Sequence, residues 1–142
     1  MRYRIDYFPP INTQQVLELA LHHHPEGHLE EAEAIYRQVL ASEPYQSDAL
    51  HLMGVVAHQQ DQHQTAVSLI RRALQLKSQN AEALYNLSNA LSGQRQLDDG
   101  IATYHHTLQL QPNYAEAHNN LGIALNSKGR SDDAIASCLR AL

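Results

Sequence analysis

Apolar residues follow a helical spacing along most of the chain, and short polar breaks interrupt them. Leu84, Leu87 and Leu91, for example, lie three and four positions apart, which places them on one face of a helix. Turn-forming residues occupy the breaks, as in the PEG sequence at 25–27, and acidic pairs suited to a helix N-terminus follow them. No stretch alternates as a half-buried strand does, so the pattern predicts an all-α protein.

The predicted helices belong to an internal repeat of 34 residues. Segments that begin at Ser47, Ala81 and Ala115 align without gaps, and one further step back along the chain reaches Thr13. Each repeat contains two predicted helices. We therefore divide the chain into an N-terminal extension, 1–12, and a repeat domain, 13–142, with repeats at 13–46, 47–80, 81–114 and the incomplete 115–142.

Small residues recur at two positions of the repeat, where the paired helices must approach closely. Position 8 holds Ala20, Gly54, Ser88 and Gly122, and position 20 holds Ala32, Ala66, Gly100 and Ala134. Larger residues lie next to them, a combination typical of closely packed helix pairs. Leucine at Ala66 or Ala134 is therefore expected to overpack the core. Cys138 falls at one of the larger core positions, which predicts a buried side chain rather than a nucleophile.

This 34-residue helix-turn-helix, with its small and large positions, closely resembles the tetratricopeptide repeat (TPR), and the resemblance covers about nine-tenths of the chain. It implies an all-α, right-handed superhelical solenoid whose first helices line a concave groove. The family's groove positions also hold acidic residues here, such as Glu18, Asp48 and Glu82. The resemblance implies these candidate peptide-binding residues: Leu17, Leu21, His51, Leu52, Val55, Tyr85, Asn86, Asn89, Asn119, Asn120 and Ile123.

Asn86 and Asn120 lie one period apart in neighbouring first helices. An asparagine amide both donates and accepts hydrogen bonds, so such a ladder can read a peptide backbone whatever its side chains. The surrounding sequences, AEALYNLSNAL and AEAHNNLGIAL, resemble the repeats of O-linked N-acetylglucosamine transferases and their bacterial relatives. The alternative is that asparagine is only tolerated on an exposed helix face. A backbone-reading ladder predicts that alanine at both positions weakens peptide binding and leaves melting nearly unchanged.

Composition narrows the class of partner. The chain has 10 Lys and Arg against 15 Asp and Glu, so the basic face of a nucleic-acid-binding protein is not expected. No apolar stretch approaches the roughly 20 residues of a membrane helix, and the first residues lack the apolar core of a signal peptide. The single cysteine excludes an internal disulfide. We expect a cytoplasmic protein that binds neither nucleic acid nor membrane.

The ten histidines raise the question of a metal site. His24, His51 and His58 fall at positions from which their rings could converge at the groove rim. No cysteine or well-placed acidic ligand completes a zinc set, so we expect no metal. The sequence also has no phosphate-binding glycine loop, nucleophile elbow or zinc-protease motif, which predicts no cofactor and no enzymatic activity.

The leading hypothesis is a protein-interaction module that binds a peptide or partner segment in the groove. One alternative is the N-terminal TPR region of a glycosyltransferase similar to O-linked N-acetylglucosamine transferase, with its catalytic domain absent from this chain. A weaker alternative is a scaffold that self-associates through its last helix. In that helix Ile135, Cys138, Leu139 and Leu142 have no following repeat to cover them.

Overall fold

A computed structural model describes residues 12–23, 27–129 and 131–141, except for the side chains of 23 and 131–134. Helices make up most of this part of the chain, and it contains no strand, so the all-α prediction is confirmed. The helices are α1 (Thr13–His23), α2 (Leu29–Ser42), α3 (Ser47–Gln59), α4 (His63–Leu76), α5 (Ala81–Gly93), α6 (Leu97–Leu110), α7 (Ala115–Ser127) and α8 (Ser131–Arg140).

The helices form a solenoid of stacked pairs. The first helices of the pairs, α1, α3, α5 and α7, begin at intervals of 34 residues, and so do the second helices. Helices adjacent in sequence pack together along the whole series, and in addition α3 contacts α5 and α5 contacts α7. The first helices therefore form one layer of the solenoid. Across the residues that the structure describes, none of the helices has the length and apolarity required to cross a membrane.

Polar side chains define the start of two first helices. The Gln46 side chain accepts a hydrogen bond from the backbone amide of Ala49 at 2.9 Å, and Asn80 accepts one from Ala83 at 3.1 Å. These bonds satisfy amides that have no partner within the helix. A polar residue at the same repeat position therefore caps the N-terminus of both α3 and α5.

The small residues lie where paired helices cross, as predicted. Ala20 and Ala66 are completely buried. A Cβ atom on Gly54 would lie 2.5 Å from Ile70 Cγ1 and 3.2 Å from the Ala66 carbonyl oxygen. Helices α3 and α4 therefore approach too closely for a larger residue at Gly54. The side chain of Ala134 lies outside the described residues.

Cys138 is exposed, so the burial predicted from its repeat position is wrong. The equivalent residue of the preceding repeat, Tyr104, is buried because Ala117 and Leu121 of α7 cover it. Within the described part of the chain no helix follows α8, which packs against α7. Among the side chains of α8 that the structure describes, Ser137 is buried, whereas Ile135, Cys138 and Leu139 are exposed.

The turns between paired helices place one residue in the left-handed region at the same repeat position. These residues are Gly27, Asp61, Arg95 and Gly129, with φ of 79°, 61°, 69° and 81°. This backbone conformation costs a non-glycine residue roughly 1–2 kcal/mol. A change to glycine removes that cost, but glycine loses more conformational entropy on folding, so only part of the cost is recovered. Arg95→Gly is therefore expected to raise the free energy of unfolding by about 0.5–1 kcal/mol in urea denaturation. Gly129→Ala should lower it, and a destabilised Arg95→Gly variant would contradict the strain argument.

Candidate functional site

A concave pocket of about 530 Å³ lies between the first helices α1, α3 and α5. We refer to the aliphatic side chains of its lining as the floor and to the polar and acidic ones as the margins. The lining residues are Gln14, Leu17, Glu18, Leu21, Asp48, His51, Leu52, Val55, Gln59, Asn80, Glu82 and Asn86. The structure therefore brings the N-terminal half of the predicted groove residues to one place. Asn80 was not predicted there, because it precedes α5 and the predicted groove residues all lie within the first helices.

The apolar floor differs in accessibility from residue to residue. Leu17 is buried and belongs to a core formed by α1, α2 and α3, and Leu52 packs against that core. Val55 is half-buried, whereas Leu21 is exposed. Leu21, Leu52 and Val55 are thus the apolar side chains that a ligand in the pocket can contact.

The two asparagines of the predicted ladder link neighbouring first helices. Asn86 Nδ2 lies 2.9 Å from His51 Nε2, and Asn120 Nδ2 donates to the Tyr85 hydroxyl at 3.0 Å. In both pairs the asparagine is at position 6 of its repeat and its partner at position 5 of the preceding repeat. The equivalent positions between α1 and α3 hold leucines, which explains why this end of the groove is apolar.

Asn120 makes a second bond within the protein. Its Nδ2 also donates to Asn89 Oδ1 at 3.0 Å, and the same oxygen accepts a bond from the Tyr104 hydroxyl. Burial raises the pKa of Tyr104 to about 12. Both amide hydrogens of Asn120 are therefore used between helices. A buried tyrosine generally needs a partner for its hydroxyl, and Asn89 is that partner for Tyr104.

The remaining predicted residues lie toward α7. Tyr85 stacks on Tyr114, with ring centroids 4.9 Å apart and ring planes 29° from parallel. Asn120 and Ile123 line a second cavity of about 190 Å³, and Asn119 is exposed on α7. Burial, and next to it the charge of Glu82, raise the pKa of Tyr114 to about 12. The predicted groove residues are thus divided between the pocket and this aromatic, amide-rich end.

Two of the three histidines of the possible cluster at the groove rim are described, and each lies next to another residue. His58 Nδ1 lies 2.9 Å from His63 Nδ1, and His51 bonds to Asn86 instead. Within residues 12–23, 27–129 and 131–141 no three histidine, cysteine or acidic side chains are placed to hold a metal ion. His24, the third member of the proposed cluster, lies outside the described residues.

The contact between His58 and His63 predicts that the protein loses stability in mild acid. The pKa of His58 is lowered, first by burial and then by the charge of His63, with Asp61 acting in the opposite direction. The unfolded chain therefore takes up a proton more readily than the folded chain, so stability is complete above the unfolded pKa of about 6.5 and falls below it. Urea denaturation at about pH 7.5 and about pH 5.5 should show lower stability at the acidic value.

The matched comparison uses paired histidine variants. Changing His58 and His63 together to glutamine should reduce this pH dependence, because the close pair of rings is removed. Changing His105 and His106, which are exposed on α6, should leave it nearly as in the parent protein. Equal slopes for the two double variants would contradict the role of the pair.

Comparison with family models agrees with the helix pairs. A model described as anaphase-promoting complex, cyclosome, subunit 3 matches residues 26–107, which is more than half of the chain. A tetratricopeptide repeat model matches residues 85–142. None of the curated proteins matches the sequence.

Solved structures share the fold. A crystal structure of MamA superimposes with a TM-score of 0.80 at 23% identity, over 92% of this chain and 76% of that one. MamA from Desulfovibrio magneticus RS-1 gives a TM-score of 0.82 at 21% identity, over 92% and 73% of the two chains. An O-GlcNAc transferase mutant from Thermobaculum terrenum gives 0.73 at 33% identity, over 82% of this chain and 23% of that one. With this periodicity, helix pairing and set of matches, the chain belongs to the tetratricopeptide repeat family.

Proposed function

We propose that this chain is a protein-interaction module that binds a peptide or a partner segment in the concave groove. The TPR fold is typical of protein-interaction modules. The observation that carries the proposal is the pocket between α1, α3 and α5, where aliphatic side chains are accessible in a concavity of about 530 Å³. Such a surface favours an extended or helical segment with apolar anchors.

The proposed site begins at Leu21, Leu52 and Val55 and continues toward α7. Along that path Asn86 and Asn120 are half-buried, and their donors bond to neighbouring helices. We therefore assign the first contact with a ligand to the aliphatic floor rather than to the asparagine amides. The full proposed groove includes Leu17, Leu21, His51, Leu52, Val55, Tyr85, Asn86, Asn89, Asn119, Asn120 and Ile123.

Two leucines of α1 provide a matched test of the groove. Leu21 lines the pocket with 42% of its surface exposed, whereas Leu19 is 54% exposed and does not line it. Peptides selected from a displayed random library against the parent protein should bind Leu21→Gln about tenfold more weakly, because an apolar contact worth about 1.4 kcal/mol is lost. Leu19→Gln should bind like the parent. Equal binding by both variants would place the site elsewhere.

We further propose that the repeats do not themselves catalyse a reaction and hold no cofactor. Within the described residues the ionisable side chains at the pocket are carboxylates and His51, and the latter bonds to Asn86. The match to a tetratricopeptide repeat model supports this proposal, since it points to a repeat module. We also propose a cytoplasmic location and partners that are neither nucleic acids nor membranes, in keeping with an acidic chain.

A second candidate function is the repeat region of a glycosyltransferase. The observation that favours it is the 33% identity to the Thermobaculum terrenum O-GlcNAc transferase mutant, of which this chain spans 23%. The coding sequence downstream of Leu142 distinguishes the two candidates. A glycosyltransferase domain in the same reading frame would support the second one.

A third candidate is a scaffold that self-associates through α8. Ile135 and Leu139 are 61% and 62% exposed on this helix, next to the exposed Cys138. Contiguous exposed apolar side chains are typical of interaction surfaces. Light scattering over a range of concentrations tests this candidate, and a constant monomer mass would count against it.

A further inference from the structure

The pocket between α1, α3 and α5 has carboxylates at its margins, and no lysine or arginine of residues 12–23, 27–129 and 131–141 lines it. Glu18 contributes from α1, Asp48 from α3 and Glu82 from α5. Asp48 is 3.7 Å from the Lys77 ammonium group, outside the lining. Among the residues that the structure describes, Glu18 and Glu82 have no lysine or arginine partner, and both are exposed.

The bonds at these carboxylates leave their charges available. Glu18 accepts a hydrogen bond from the neutral amide of Gln14 at 3.3 Å, which does not compensate its negative charge. Glu82 lies close enough to Tyr114 for its charge to raise the pKa of that phenol, and Glu116 adds to the effect. The negative field therefore extends from the pocket to the stacked rings of Tyr85 and Tyr114. The faces of aromatic rings next to carboxylates also favour a cation.

The charges surround an accessible apolar floor. Leu21, Leu52 and Val55 can contact aliphatic side chains, while the acidic margin repels a carboxylate and attracts an ammonium or guanidinium group. An acidic segment would face uncompensated carboxylates on both sides of the pocket. A purely apolar segment would leave these carboxylates without a partner in a partly desolvated site, which is unfavourable.

We infer that the occupant of the pocket is a cationic amphipathic segment of a protein partner. Its aliphatic side chains contact Leu21, Leu52 and Val55, and its lysine or arginine side chains pair with Glu18 and Glu82. The inference rests on the proposed function and adds the chemical class of the ligand. It concerns the charge of the bound segment, which the apolar contacts do not determine.

The test uses a fluorescently labelled, amidated peptide of alternating leucine pairs and lysine pairs, and a second peptide with glutamate in place of lysine. Fluorescence anisotropy at about 0.15 M salt gives the dissociation constants. The lysine peptide should bind the parent protein, and the Glu18→Gln, Glu82→Gln double variant should bind it about threefold to thirtyfold more weakly. The glutamate peptide should bind the parent protein more weakly than the lysine peptide does.

A matched double variant separates groove charges from overall charge. Glu30→Gln with Glu31→Gln removes the same number of carboxylates from exposed positions of α2, outside the pocket. It should bind the lysine peptide as the parent does. An equal loss in both double variants would indicate attraction by net charge alone and would overturn the inference.

The leucine variants distinguish failure of this inference from failure of the proposed function. Equal binding of the two peptides, with both weakened by Leu21→Gln, would overturn the cationic ligand and retain the groove. A second outcome is that the lysine peptide fails to bind while library peptides without basic residues bind and are weakened by Leu21→Gln. That result would also overturn the cationic ligand and retain the groove. Insensitivity of all binding peptides to Leu21→Gln would overturn the groove itself.

Discussion

Replacing Ala66 with leucine is expected to lower the free energy of unfolding by about 1–3 kcal/mol. Ala66 is completely buried in α4, and its carbonyl oxygen would be 3.2 Å from a Cβ placed on Gly54 of α3. The neighbouring Ile70 already fills the remaining space at this crossing, since its Cγ1 would be 2.5 Å from that Cβ. The larger side chain therefore has to separate α3 from α4 or adopt a strained conformation.

The matched control is Ser68→Leu in the same helix. Ser68 is exposed, so the same new side chain meets no neighbouring helix there. Urea denaturation followed by far-ultraviolet circular dichroism should show a lower midpoint for Ala66→Leu and little change for Ser68→Leu. Equal stability of the two variants would mean that the α3–α4 crossing has room for a larger residue.

Much of the fold follows from the sequence because each repeat supplies the same local information. Polar breaks at a constant spacing terminate the helices, and the close helix crossings accept only small residues such as Gly54 and Ala66. Cys138 shows the limit of this reasoning. Its position in the repeat predicts burial, but burial requires a helix on the far side of α8, and the described structure places none there.

The candidate site was less predictable than the fold. Leu21, Leu52 and Val55 line one pocket, because the side-chain direction at a given repeat position is the same in every first helix. They did not reveal the partners of Asn86 and Asn120. Those bonds depend on the relative shift of neighbouring first helices, and no local pattern in the sequence encodes a contact between residues 35 positions apart.

Replacing Asn120 with alanine is expected to lower the free energy of unfolding by about 1–3 kcal/mol, because two hydrogen bonds worth roughly 0.5–1.5 kcal/mol each are lost. Its Nδ2 donates to Tyr85 and to Asn89, and these bonds join α7 to α5. A ladder that only reads a peptide backbone would leave melting nearly unchanged. The observed bonds lead us instead to expect a loss of stability even without a ligand.

Asn126→Ala is the matched control for Asn120→Ala. It removes the same amide from an exposed position of α7, so its free energy of unfolding should stay close to that of the parent.

A double-mutant cycle measures the bond between Asn120 and Tyr85 directly. Combining Asn120→Ala with Tyr85→Phe should give a coupling energy of about 0.5–1.5 kcal/mol, because each single variant removes this bond. A coupling near zero, together with equal stability of Asn120→Ala and Asn126→Ala, would assign Asn120 to the ligand surface alone. A measurable coupling would mean that Asn120 holds neighbouring repeats in register, and the aliphatic pocket would then be the part of the groove free to engage a partner.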